Sequence, residues 1–367
     1  MKFTVSQSSL TRAISVVSKG IASGSGQPIL AGVKITASEG SVELQSTDNN
    51  ISIRHSIAAN VEEEGATVVA GKVLQNVVKN LPDAAVVISD DGAQTSLSCE
   101  RSRFRLNTLD PNDFPAFPSI DPDRTIELPS ELLSSMVDRV YKVTSKDTSR
   151  PILSGILLTV ENNTIRLVAT DSYRLAVCDS NTETSQSDEQ FEAIVPGATF
   201  HDVLTLPSMT ERITIGITSS QVVFSFGNTT FISRRIEGNF PNFRQLLPSS
   251  QNSSVKLDAH QLAQALKRVS VIAQSNPSVR FDIDSDGDVL RLSAASPDQG
   301  EASELIGVEV EGESISIALN YHYVMDCVAA VSSDTDVSLE LLSSMQPAIF
   351  KSYASINYLY LLMPVRM

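Results

Sequence analysis

PILAGVKITASEGSVELQSTDN, residues 28–49, and PILSGILLTVENNTIRLVATDS, residues 151–172, lie 123 residues apart and align without a gap. Eight of the 22 positions are identical, among them Pro28/Pro151, Leu30/Leu153, Gly32/Gly155, Leu44/Leu167 and Asp48/Asp171. Most of the others keep their apolar or polar character. The match continues upstream at the same spacing, where Leu10 to Val17 falls on Leu133 to Val140. A third copy is fainter: Asp138 to Val143 resembles Lys267 to Ile272, and Ile165-Arg166-Leu167 resembles Leu290-Arg291-Leu292. The chain is therefore read as three repeated domains of about 122 residues. The seams have linker composition, proline-rich from Phe114 to Pro129 and Ser-Ser-Gln-Asn-Ser-Ser from Ser249 to Ser254. They set the domains at 1–121, 122–248 and 249–367.

Each copy divides again. Its first half opens on an amphipathic helix, as in Leu10, Ala13, Ile14 and Val17, whose spacing puts all four on one stripe. Alternating strands follow, such as Val42/Leu44 and Ile165/Leu167. The second half restarts with a helix at Val73 to Leu81, at Phe200 to Leu204 and at Tyr323 to Val331. Two helices packed on antiparallel sheet make each copy an α+β domain.

The chain has 367 residues and a net charge of −15. Spread evenly, that charge would argue against nucleic acid, whose binding depends on neutralising phosphates. It is not spread evenly. The six helical segments, read as 8–19, 71–80, 130–146, 199–206, 258–273 and 320–331, together carry +4, so the acidity lies on strands and loops. A mildly basic set of helices on one face could meet a polyanion while the rest repels it. Cys99, Cys178 and Cys327 are far apart and odd in number, which fits a reducing cytoplasm and no disulfide framework. No apolar run approaches the roughly 18 residues of a membrane span, and the N-terminal MKFTVSQ lacks the apolar core of a secretory signal.

No motif assembles a catalytic or metal site. Asp282-Ile-Asp-Ser-Asp-Gly287 matches the start of a calcium loop, but Ser293 stands where a bidentate Glu is needed. The repeat aligns this stretch with Glu39-Gly40 and Asn162-Asn163, which read as hairpin turns. His55, His201, His260 and His322 have no ligand spacing. No cofactor is expected.

MKFTV at the start, ATDSYRLA at 169–176, GNFPNFR at 238–244 and YLLMPVRM at 360–367 together resemble the bacterial β sliding clamps, over the whole chain. The resemblance implies a non-catalytic processivity subunit of DNA polymerase III holoenzyme, working in DNA replication. It implies a head-to-tail homodimeric ring of six domains with pseudo-sixfold symmetry, helices lining the hole and sheets outside, encircling duplex DNA without sequence preference. Its other partners would be the replicative polymerase catalytic subunit, the clamp loader, and replication and repair proteins carrying clamp-binding peptides.

By resemblance, the peptide pocket comprises Leu153, Thr170, Ser172, Tyr173, Arg174 and Leu175, then Pro241, Gln245, Leu246 and Ser344, then Leu361, Met363, Pro364, Val365, Arg366 and Met367. The DNA-contacting set is Arg12, Lys72, Lys79, Arg139, Lys142, Lys146, Arg150, Lys267 and Arg268. The ring interface carries over as Phe104, Leu106, Val271 and Ile272. Two positions and one segment depart from the family pattern: Gly24 and Gln245 replace common basic residues, and the segment 199–206 has no Lys or Arg. Two other readings compete, an enzyme of unrecognised type and a scaffold of clamp fold that binds only proteins. Full domains of about 122 residues exceed the roughly 20–45-residue units of solenoid scaffolds.

Overall fold

The computed structural model describes residues 1–24, 26–181, 190–248, 250–331, 336–354 and 356–366. Six α-helices lie among them: α1 Gln7–Val17, α2 Gly71–Lys79, α3 Ser130–Val140, α4 Gly197–Leu204, α5 Ala259–Val269 and α6 Tyr321–Ala330. Three starts are capped by a short polar side chain. Ser6 Oγ accepts from the Ser9 amide at 3.2 Å, Asp258 from Gln261 at 2.7 Å and Asn320 from His322 at 3.0 Å. Each bond satisfies an amide that the first helical turn would leave open. The α1 stripe read from the sequence is buried, from Leu10 to Val17.

The 123-residue spacing survives in the backbone. In the first copy α1 leads to a 3₁₀ turn Pro28–Ala31 and strands Gly32–Ser38, Ser41–Thr47 and Ile51–Ala58. In the second, α3 leads to Pro151–Ser154, Gly155–Glu161, Thr164–Thr170 and Arg174–Asn181, every bound displaced by 123. The turns expected at Glu39-Gly40 and Asn162-Asn163 are hairpins. Both asparagines have positive φ, 49° and 61°, as a primed two-residue turn requires, whereas at Glu39-Gly40 only Gly40 does, at +71°. The calcium-like stretch is also a hairpin, with Asp284 paired to Val289.

Helix ends differ from the sequence reading. The helix expected over 130–146 stops at Val140, followed by one 3₁₀ turn Tyr141–Val143. The chain must leave the helix there because the Ser145 amide bonds Leu153 O at 2.8 Å. The helix expected over 258–273 ends at Val269, so Val271 and Ile272 sit in the turn after it. The helix expected at 199–206 runs instead over Gly197–Leu204.

Two compact units emerge from the packing. One holds Met1–Leu133 and Thr199–Arg235; the other holds 134–181, 190–198 and 236–366 among the described residues. The first is organised on a 13-stranded sheet. Its continuity rests on Thr229–Arg234 pairing with Ile51–Ala58, Thr229 opposite His55. The second carries a nine-stranded and a four-stranded sheet. In the nine-stranded sheet, Arg174–Asn181 pairs with Asn357–Leu362, Leu175 opposite Leu361. The middle repeat thus gives one half to each unit.

Candidate peptide socket and polyanion face

The strand pairing just described builds an apolar patch in the second unit. Leu175 and Leu361 face each other across strands; Val177 follows on the strand of Leu175, and neighbouring strands add Val168, Leu157 and Ile194 on the same side. Cross-strand partners in an antiparallel sheet share a face, so the alternation that buries Leu175 also aligns these residues. Ile152, Ile236, Phe240, Phe243, Leu247 and Leu359 pack against the patch half-buried. The sequence reading missed this rim. Two-residue alternation signals only one of its members, Leu359, two places from Leu361; the same alternation places Val177 with Leu175 in the patch itself.

The other expected pocket residues are distributed around this patch or away from it. Leu153 and Thr170 are buried, and the Thr170 hydroxyl is engaged with Arg174 O at 2.7 Å. Tyr173, Leu246 and Met363 are exposed, at 61%, 52% and 43%. Pro241, Gln245, Ser172, Ser344 and Arg366 are also exposed. The tail is pinned rather than loose: Met363 N donates to Tyr173 O at 2.9 Å, and Val365 N to Ala318 O at 2.8 Å. Between them lies half-buried Pro364. Met367 lies outside the described residues.

Arg174 requires a correction. It is 7% exposed and, one residue from Leu175, projects from the opposite face of the strand. Its guanidinium bonds Asp171 Oδ2 at 3.0 Å, Asp326 Oδ2 at 2.7 Å, Tyr360 Oη at 3.2 Å and Lys142 O at 2.6 Å. It also lies 4.2 Å from the Tyr323 ring centroid. Burial works against its charge, but Tyr360, Asp326 and Asp171 more than offset that and hold it protonated above the ordinary arginine range. Burial likewise pushes the hydroxyl of Tyr360 well up.

Arg174 lines a cavity of about 720 Å³ that also takes in Lys142, Lys146, Arg150, Tyr173 and Tyr323. Three cations expected to meet DNA thus surround one concavity. Arg150 is tied to Asp147 at 3.1 Å and to Ser172 Oγ at 2.9 Å. Ser149 and Arg150 together hold the Asp147 carboxyl below its usual range. Arg12, Lys72, Lys79, Lys267 and Arg268 are exposed on α1, α2 and α5, Arg268 with its Nε 2.9 Å from Glu304. Arg139 is the exception. Only 7% exposed, it does not present its charge to solvent and drops out of the expected polyanion set. The helix α4 has no Lys or Arg, and its Asp202 is ion-paired to Lys19 at 2.6 Å.

Comparison with known proteins gives this geometry its context. The models of the DNA polymerase III beta subunit match the N-terminal domain at residues 1–118, the central domain at 127–242 and the C-terminal domain at 244–366. The chain belongs to the DNA polymerase III beta subunit family. It is 30% identical to the beta sliding clamp of Streptomyces coelicolor, covering all of both chains. The DNA polymerase sliding clamp of Bacillus subtilis superposes with a TM-score of 0.93 at 27% identity, over 100% of this chain and 99% of that one. The beta subunit of Thermotoga maritima gives 0.92 at 29% identity, with the same coverages. The family is one of non-catalytic processivity factors, so the work of this chain is that of a DNA clamp and not of an enzyme. No helix among the described residues is long and apolar enough to cross a membrane. They hold no cluster of His, Cys, Asp and Glu suited to a metal ion.

Proposed function

We propose that two copies of the chain, each with domains 1–121, 122–248 and 249–367, close head to tail into a ring around duplex DNA. The apolar socket at Leu175 and Leu361 then tethers the polymerase catalytic subunit, the clamp loader and repair proteins by short peptides. The setting is the cytoplasm.

The observation that carries the ring is a pair of open sheet edges of opposite charge. The strand Ser102–Leu109 meets Gly65–Ala70 only through Leu109 and Thr108, so residues 102–107 offer an outer edge among the described residues. That edge exposes Arg103, Phe104 and Arg105. Gly300–Gly307 ends the four-stranded sheet and exposes Glu301 and Leu305, the latter at 60%. Half-buried Leu106, exposed Val271 and half-buried Ile272 extend the two apolar contributions. Unpaired edges seek partners, and basic against acidic selects the head-to-tail pairing over the two like-with-like ones. A heterologous contact of this kind closes a ring when its rotation permits.

An encircling ring needs no tight grip. Weak phosphate contacts from Arg12, Lys72, Lys79, Lys142, Lys146, Arg150, Lys267 and Arg268 suffice, because linkage is topological. The test is retention. Protein loaded on nicked circular DNA should stay through gel filtration and be lost once the circle is cut. Equal loss from circular and linear DNA would remove encirclement and leave a scaffold that binds only proteins.

A further inference from the structure

Leu175 and Leu361, the centre of the socket, each have a chain neighbour that points to the opposite face: Arg174 and Tyr360. Those two neighbours are bonded to each other at 3.2 Å. The Arg174 guanidinium also grips Asp326 and stacks on Tyr323, both on α6. Its remaining nitrogen holds the carbonyl of Lys142 in the 3₁₀ turn after α3. Tyr360 Oη in turn donates to Tyr323 O at 3.0 Å. One buried fork therefore joins the strand of Leu175, the strand of Leu361, α6 and the turn that carries Lys142.

Only a planar cation with several fixed donors can reach four acceptors in this spread; an ammonium is a point charge on a flexible stem. Breaking one partner leaves the others buried and underbonded, which is the costly direction.

We propose that Arg174 is a positioning residue of the clamp: it touches no partner peptide and instead sets the spacing of Leu175 against Leu361, while holding the Lys142 turn on the other face. This rests on the reading of the Leu175/Leu361 patch as the peptide socket. It makes Asp326 and Tyr360, which the resemblance did not single out, part of the same device. A direct contact and a positioning role differ in what they care about. A contact discriminates among peptides by their polar groups; a displaced floor weakens all of them alike.

The experiment uses the full-length variants Arg174→Lys, Asp326→Asn and Arg174→Lys/Asp326→Asn, each checked for dimer and melting temperature. Two fluorescein-labelled peptides share one Leu-Leu anchor, one with no ionisable side chain and one with two added glutamates. Fluorescence anisotropy should show both single variants losing roughly tenfold for both peptides, with the double variant no worse than the poorer single. Loss confined to the acidic peptide, with Asp326→Asn unaffected, would make Arg174 a contact residue and overturn the proposal. Amide hydrogen exchange tests it without any peptide. Residues 141–144, 173–177 and 359–363 should all exchange faster in either single variant, and unchanged protection in these segments overturns the proposal. Wild-type protein that binds neither peptide, yet shows the faster exchange in its variants, rejects the socket and keeps the positioning role.

Discussion

His55 is where acid enters the first unit. It is 7% exposed, and its Nδ1 lies 2.9 Å from Thr229 Oγ1 across the pairing that joins the first repeat to half of the second. Burial, then the Arg12 charge, pushes its pKa below the ordinary value. The native state therefore holds it neutral while the unfolded chain takes up a proton near pH 6.5. Stability is full above that pH and falls as pH drops through the lowered native value. Urea midpoints followed by circular dichroism should decline between pH 7.5 and 5, and His55→Gln should flatten the decline. A second residue-scale prediction separates binding from folding in the socket. Leu175→Lys puts a charge at a 1% exposed site, so it should lower the melting temperature as well as peptide affinity. Phe243→Ala, on the half-buried rim, should cost at least tenfold in affinity with the melting temperature nearly unchanged. Equal thermal loss in both would make the rim part of the core.

Among the elements, the pinned tail and the basic turn give separate predictions. Deleting Met363 to Met367 removes the bonds to Tyr173 O and Ala318 O but no core strand. Sedimentation should still find the dimer while anisotropy finds peptide affinity lost; intact affinity would make the tail a mere strand extension. Replacing Lys142 and Lys146 by Ala should reduce the slope of log K against log salt by about two units, since each lost phosphate contact removes about one. How much of this was readable follows from what each element depends on. The Pro28–Asn49 repeat was legible to the residue, because hairpins and amphipathic helices are fixed by local periodicity and turn chemistry. The ends of α3 and α5 were not, because a tertiary bond, Ser145 N to Leu153 O, decides the first. The pocket's composition came from resemblance, but alternation alone would have placed Leu175 and Val177 together and sent Arg174 to the other face. Tyr358, which bonds the carbonyl of Arg139, and two of the Arg174 partners, Asp326 and Tyr360, come from segments over 150 residues away in the chain, and no local pattern carries that.

For the whole molecule, the complementary edges predict a dimer of twice 39.5 kDa. Ile272→Asp should yield monomers in sedimentation at micromolar concentration, with both units still folded by circular dichroism. A persistent dimer would move the interface away from the turn after α5. The strand pairing between Ile51–Ala58 and Thr229–Arg234 has a consequence for how the molecule is made. His55 and its partner Thr229 are 174 residues apart, so a ribosome working at about 5–20 residues per second needs roughly 9–35 s to deliver the second strand after the first. Throughout that interval the nascent chain displays an unfinished β-edge. A neighbouring chain on the same messenger could fill it with its own Thr229–Arg234, so the seam that unites the repeats in the finished protein is also an opening for mispairing during synthesis.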